Sequence, residues 1–232
     1  MLLVLYIPVI LSFVASSHNG LICNRIKVSV KDSSVLKFVS ESEINDLIQT
    51  KFKTIQGSLM NEINTQNVEQ AVNRYPAVEK CEVYPSIDGT LCVVVSQRQP
   101  ALRIFDHGAT YLLDAKGYKI PLRGTYKDHL MVANGYIDDI ERRQDLLKLN
   151  SFISDDSFWS AQIEQIYVEP DGEFILIPRV GQHKILFGNI TDMEKKFRNL
   201  RTLYEKGLNP LEWNSYQTIN LKFKGQVICS KK

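Results

Sequence analysis

Two short runs decide the fold: Ile26-Lys27-Val28-Ser29-Val30-Lys31, and Leu91-Cys92-Val93-Val94-Val95 some sixty residues later. The first alternates apolar and polar residues, which predicts a half-buried strand. The second is continuously apolar and predicts a central strand. Between them, Ser40-Glu41-Ser42-Glu43 is a capping box, followed by Ile44, Leu47, Ile48 and Phe52 at helical spacing. This stripe is expected to face Val93 and Val95. A second helix starts near Thr65, buries Val68, Ala71, Val72 and Tyr75, and stops at Pro76. Cys81 and Val83 then alternate with Glu82 and Tyr84, and Asp88-Gly89 marks a hairpin turn into Leu91. The order is strand, helix, helix, strand, strand, which predicts a three-stranded sheet covered by two helices on one face.

Outward from this unit the pattern changes. After Pro100, short strands are predicted at Leu102–Phe105 and Thr110–Leu113, with Asp114-Ala115-Lys116-Gly117 as a turn and another strand starting at Tyr118. A helix is predicted over Ile140–Ile153, then strands over Ile163–Val168, Glu173–Ile177 and Lys184–Phe187. Thr191-Asp192-Met193-Glu194 is a second capping box ahead of a helix burying Met193, Phe197, Leu200 and Tyr204. A last strand is expected from Ile219 to Ile228, with Ile219, Leu221 and Phe223 on one face and Asn220, Lys222 and Lys224 on the other. The whole is α+β: an N-terminal membrane segment, a βααββ unit, then a mixed β-domain of short strands with two helices.

The chain has 232 residues, 44% hydrophobic and 23% charged, with a formal net charge of +2. That balance excludes a disordered chain and gives no basis for a nucleic-acid binder. The first 24 residues carry no Asp, Glu, Lys or Arg, and Leu2 to Val14 is almost purely apolar. Taken alone, this segment reads either as a cleaved signal peptide or as a membrane anchor, and both place the rest of the chain outside the cytoplasm. Both readings want a basic flank before the segment, which this sequence lacks.

Cys23, Cys81, Cys92 and Cys229 lack metal-ligand spacing. They read either as up to two disulfides or as small buried side chains. His18, His107, His129 and His183 are scattered. Asp138-Asp139 with Glu141, and Asp155-Asp156, lie at expected helix starts and suit the helix dipole. Lys195, Lys196, Arg198 and Arg201 are interspersed with acids, as on a solvated helix face. No nucleophile, phosphate-loop or metal motif stands out, and nothing selects one carboxylate pair among 26 acids. From Trp213 onward there are four lysines and no acids. The terminal strand is therefore either a solubilised edge or a docking strand.

The order of these parts resembles the bacterial FtsQ/DivIB cell-division family. The resemblance is carried by the apolar segment, the βααββ unit ending in Arg98-Gln99-Pro100, the run Tyr111-Leu112-Leu113-Asp114-Ala115-Lys116-Gly117 followed by Ile120-Pro121, and the strand Ile219-Asn220-Leu221-Lys222-Phe223. Gln97 stands where the family often has Glu, and Asn220 where it often has Asp. The resemblance implies an anchor at 1–19, a POTRA domain at 25–97, a β-domain at 98–229 and a basic tail at 230–232. It implies a single-pass inner-membrane protein with its bulk in the periplasm. The function implied is a non-catalytic divisome scaffold for septum formation, without cofactor, metal, nucleic acid or small-molecule substrate. Partners would be FtsB- and FtsL-type proteins, with FtsK on the POTRA side. The partner-binding residues would be Ile219, Leu221, Lys222, Phe223, Lys224, Gly225, Gln226, Val227 and Ile228. Two other functions are compatible with the residues alone: a POTRA-containing outer-membrane assembly or secretion component, and an exported glycan-acting enzyme.

Overall fold

A computed structural model describes residues 20–106, 108–122, 126, 129–208 and 210–232, for 210–212 the backbone alone. The expected membrane segment at 1–19, and with it His18, lies outside these residues, as does His107. No helix among the described residues is long and apolar enough to cross a membrane. The chain divides into two compact units near residue 98.

The first unit runs β1 (Arg25–Val30), α1 (Glu41–Lys51), α2 (Thr65–Asn73), β2 (Val78–Pro85) and β3 (Thr90–Gln97). The sheet order is β1-β3-β2, with β3 central, parallel to β1 and antiparallel to β2. The box at α1 forms as expected. Ser40 Oγ accepts from Glu43 N (3.2 Å), and Ser40 N donates to Glu43 Oε2 (2.9 Å). Ile44 and Ile48 of α1, Val68 and Val72 of α2, and Leu91, Val93 and Val95 of β3 close one core. Leu47 and Phe52 differ from expectation: they are only partly buried at its margin. A stripe at i, i+3, i+4 is wider than the strip of helix that one small sheet covers, so its flank stays half-exposed.

The second unit contains β4 (Pro100–Asp106), β5 (Ala109–Asp114), β6 (Lys119–Pro121), β7 (Val132–Gly135), α3 (Ile140–Asp155), α4 (Ser157–Gln162), β8 (Ile163–Val168), β9 (Phe174–Pro178), β10 (Lys184–Gly188), α5 (Met193–Thr202), β11 (Tyr216–Asn220) and β12 (Ile228–Lys231). One nine-stranded sheet runs β12-β11-β10-β9-β8-β7-β4-β5-β6. Its core holds Leu146, Leu149 and Ile153 of α3, Trp159 of α4, and Phe197 and Leu200 of α5. Here the sequence expectation of two helices is corrected to three among the described residues. α4 is only six residues long, too short to show a periodic stripe. Its start is fixed by Asp156, whose Oδ1 accepts from Phe158 N (2.9 Å) and Trp159 N (3.3 Å).

The second capping box is also corrected. Asp192, not Thr191, precedes the first turn of α5, in a left-handed conformation (φ 56°) and without a side-chain cap. Its carboxylate pairs instead with Lys195 (3.0 Å). None of the four cysteines is paired: Cys23 and Cys81 are buried as small apolar side chains, and Cys92 and Cys229 are half-buried. Burial pushes the Cys81 thiol up to about 12, with nearby Glu69 and Glu82 adding to the shift.

Candidate functional site: the C-terminal hairpin and its groove

β11 is held on both sides. It runs parallel to β10, with Ile185 opposite Ile219, and antiparallel to β12, with Ile219 opposite Cys229 and Asn220 opposite Ile228. β12 closes the sheet, with no strand beyond it among the described residues. The single strand expected from Ile219 to Ile228 is therefore a hairpin, with Leu221–Val227 as its connection. The apolar alternation holds through Ile219 and Leu221, both buried, and fails at Phe223, which is 52% exposed.

Local chemistry turns the chain at this point. Asn220 Oδ1 accepts from Lys222 N (2.9 Å), which is an Asx turn. Gly225 then adopts φ 73°, a conformation that disfavours side chains, although the space beside it is open. Its conformation turns the backbone, and among the described residues no other part of the chain approaches the position within 4 Å.

The nine expected site residues separate by burial. Ile219 and Leu221 belong to the core, and Val227 packs against it. Phe223, Lys224, Gly225 and Gln226 form the exposed tip, and Ile228 lies 46% exposed on the edge strand. Lys222, another of the nine, has its ammonium against Glu173 and within 3.9 Å of Glu169. The hydrogen bond to Glu173 raises its pKa. Glu169, Asp171 and Glu173 bring carboxylate oxygens within 4.8 Å of one another. Lys222 already supplies positive charge to that cluster, which sits on the turn between β8 and β9. Nothing in the spacing of the sequence linked this turn to Lys222, 49 residues after Glu173.

The tip of the hairpin and the start of α5 enclose a groove of about 230 Å³, lined by Leu221, Phe223, Lys224 and Gln226 on one side and by Asp192, Lys195, Lys196 and Asn199 on the other. Lys196 Nζ donates to the carbonyls of Phe187 (3.0 Å) and Asn189 (2.6 Å), and burial lowers its pKa. With Lys195 paired to Asp192 and Lys222 to Glu173, Lys224 is the groove's cation at the exposed tip. The groove therefore offers one exposed aromatic ring and one lysine beside an unpaired strand edge. It presents no base next to a nucleophile. His183, buried behind β10, has Nε2 2.8 Å from the Tyr204 hydroxyl. Burial lowers its pKa and raises that of Tyr204.

A larger groove of about 590 Å³ lies along α3, lined among others by Pro100, Ala115, Leu147 and Asn150. Ala115 and Lys116, in the turn that follows β5, bound it. The Asp114 carboxylate accepts from the amides of Lys116 (2.9 Å) and Tyr118 (2.8 Å), and Gly117 takes φ 85°.

Residues 21–96 match the family model of the POTRA-like domain. Residues 99–230 match that of the FtsQ/DivIB C-terminal related family. The chain is also 27% identical over 186 residues to the cell division protein FtsQ of Rhodothermus marinus, covering 74% of this chain and 67% of that protein. A POTRA-like domain followed by a β-rich domain, together with these matches, places the chain in the FtsQ/DivIB family of cell-division proteins.

Proposed function

We propose that this chain is a non-catalytic scaffold of the division machinery, held by residues 1–19 at the inner membrane with its two units in the periplasm. It recruits FtsB- and FtsL-type proteins through the C-terminal hairpin, and FtsK through the POTRA-like unit. The observation that carries the reading is β12: a sheet edge without a neighbouring strand among the described residues, with Ile228 exposed on it and Phe223 and Lys224 exposed beside it. An unpaired edge offers backbone amides and carbonyls to an incoming strand, and the flanking side chains select which strand. Family membership supports a cell-division role.

The test keeps the fold and changes the tip. Phe223 and Lys224 are exposed, so Phe223→Ser with Lys224→Glu removes the ring and reverses the charge without opening the core. Binding of the FtsB–FtsL pair is expected to weaken at least about tenfold, a change of ~1.4 kcal/mol. The thermal midpoint should stay within a few degrees. Parent-like binding by the double variant would place the docking site elsewhere.

A further inference from the structure

β2 is also a sheet edge, since among the described residues the order β1-β3-β2 leaves one of its sides without a strand. In an antiparallel ladder, alternate residues direct their amides away from the partner strand. On β2 these include Cys81, Val83 and Pro85, which lie opposite Val95, Val93 and Leu91. The first two donors are already taken. Cys81 N donates to Asn73 Oδ1 (2.8 Å), and Val83 N donates to Glu69 Oε1 (2.8 Å). The third position is a proline and has no donor.

The match is one of pitch. Glu69 and Asn73 are four residues apart on α2, a rise of about 6 Å along a helix. Cys81 and Val83 are two residues apart on a strand, about 6.8 Å. Two acceptors on successive helical turns thus meet two successive outward donors of the strand. Among the described residues, no side chain caps the amides of β12 in this way.

We infer that α2 stands in for a neighbouring strand and shuts the β2 edge to strand addition, whether by an extended peptide or by a second copy of this chain. Strand-mediated docking is thereby denied to this edge of the first unit. Covering an edge with a helix is a known protection against edge-to-edge pairing. Here it operates through two specific acceptors. The inference stands apart from the assignment of the hairpin, because its test involves no division partner.

The experiment uses the full chain with Glu69→Ala and Asn73→Ala. Exchange of the Cys81 and Val83 amides should quicken about three- to tenfold, as expected for loss of one hydrogen bond each. Sedimentation should show self-association that grows with concentration, under conditions where the parent does not associate. The pair Glu69→Gln and Asn73→Asp keeps an acceptor at each site and should behave as the parent. Faster exchange without association would overturn the inference, as would association of the acceptor-retaining variant. Should the double alanine variant lose its far-ultraviolet dichroism, Glu69→Ala alone, which frees only the Val83 amide, carries the test with the same two outcomes.

Discussion

Gln97 shows how much one side-chain atom decides. It is 2% exposed, and its amide is fully used. Oε1 accepts from the amides of Phe38 (3.0 Å) and Val39 (3.2 Å), while Nε2 donates to the carbonyls of Leu36 (2.9 Å) and Lys31 (3.2 Å). This group ties the segment between β1 and α1 to the end of β3, alongside the backbone bond from Lys31 N to the Val95 carbonyl (2.8 Å). A glutamate could accept twice there but, ionised, could donate to neither carbonyl. Gln97→Glu is therefore expected to cost roughly 2 kcal/mol, chiefly from leaving the buried Leu36 carbonyl unpaired, with the half-buried Lys31 carbonyl adding less. Burial raises the folded-state pKa of such a carboxyl, so the deficit should grow as pH rises above about 4.3, where the unfolded chain ionises. Urea unfolding of the variant at pH 4 and pH 7 checks both points. A loss below about 0.5 kcal/mol at pH 7 would show that the loop relaxes around the change. Asn220 is the contrasting departure from the family pattern: its side chain is seen only accepting, from Lys222 N, and Asp could accept equally well. Neither role was legible in the sequence, because each depends on a partner that only the folded loop supplies.

Among the elements, α1 was legible in its start and its face, though not in its edges. Its capping box and the pair Ile44 and Ile48 follow from local spacing, and both isoleucines are fully buried. Leu47 shares the stripe but sits at the margin. Ile48→Ala should cost about 2–5 kcal/mol and Leu47→Ala about 1 kcal/mol. Chemical denaturation giving equal losses would contradict this placement. The terminal hairpin was less legible, because Ile219-Asn220-Leu221-Lys222-Phe223 continues the alternation of a strand past the residue where the strand ends. What interrupts it is an Asx turn and a positive φ at Gly225, both compatible with an extended reading until the turn is seen. The Asp192 box failed for a related reason. The motif has the right residue types, but a left-handed Asp192 places the first helical residue one position later.

At the scale of the molecule, each unit encloses its own core, and the two cores differ in what they bury. Within the described residues the histidines, His129 and His183, both belong to the second unit. His183 is buried with its proton disfavoured, so the folded state binds fewer protons than the unfolded state below about pH 6.5. Its contribution is present above that pH and declines as pH falls toward the folded-state value. Between pH 7 and pH 5, hydrogen-exchange protection should thus fall in β9, β10 and β11 while the amides of β3 hold steady. His183→Gln should flatten the dependence. Equal loss in both units would place the pH response elsewhere. The α+β class and the order of parts were legible because most strands and the long helices carry their own apolar pattern, whereas β7 and β12, four residues each, are too short to show one. The order of the nine-stranded sheet was not, since pairs such as β4 with β7 join residues far apart in the sequence.

That last pairing closes a long stretch of chain, with Ile104 of β4 opposite Ala133 of β7. β4-β5-β6 and β8-β9-β10 are chains of antiparallel neighbours, joined by short turns that close early. Only β7, four residues long, bridges the two groups, and it does so in parallel on both sides. A side chain at Gly135 would lie 2.1 Å from the Val168 carbonyl, so the approach of β7 to β8 tolerates nothing larger than hydrogen there. Gly135→Ala, which sets a Cβ against that carbonyl, is therefore expected to weaken the join between the two ribbons and to slow refolding of the unit, which stopped-flow fluorescence checks against the parent.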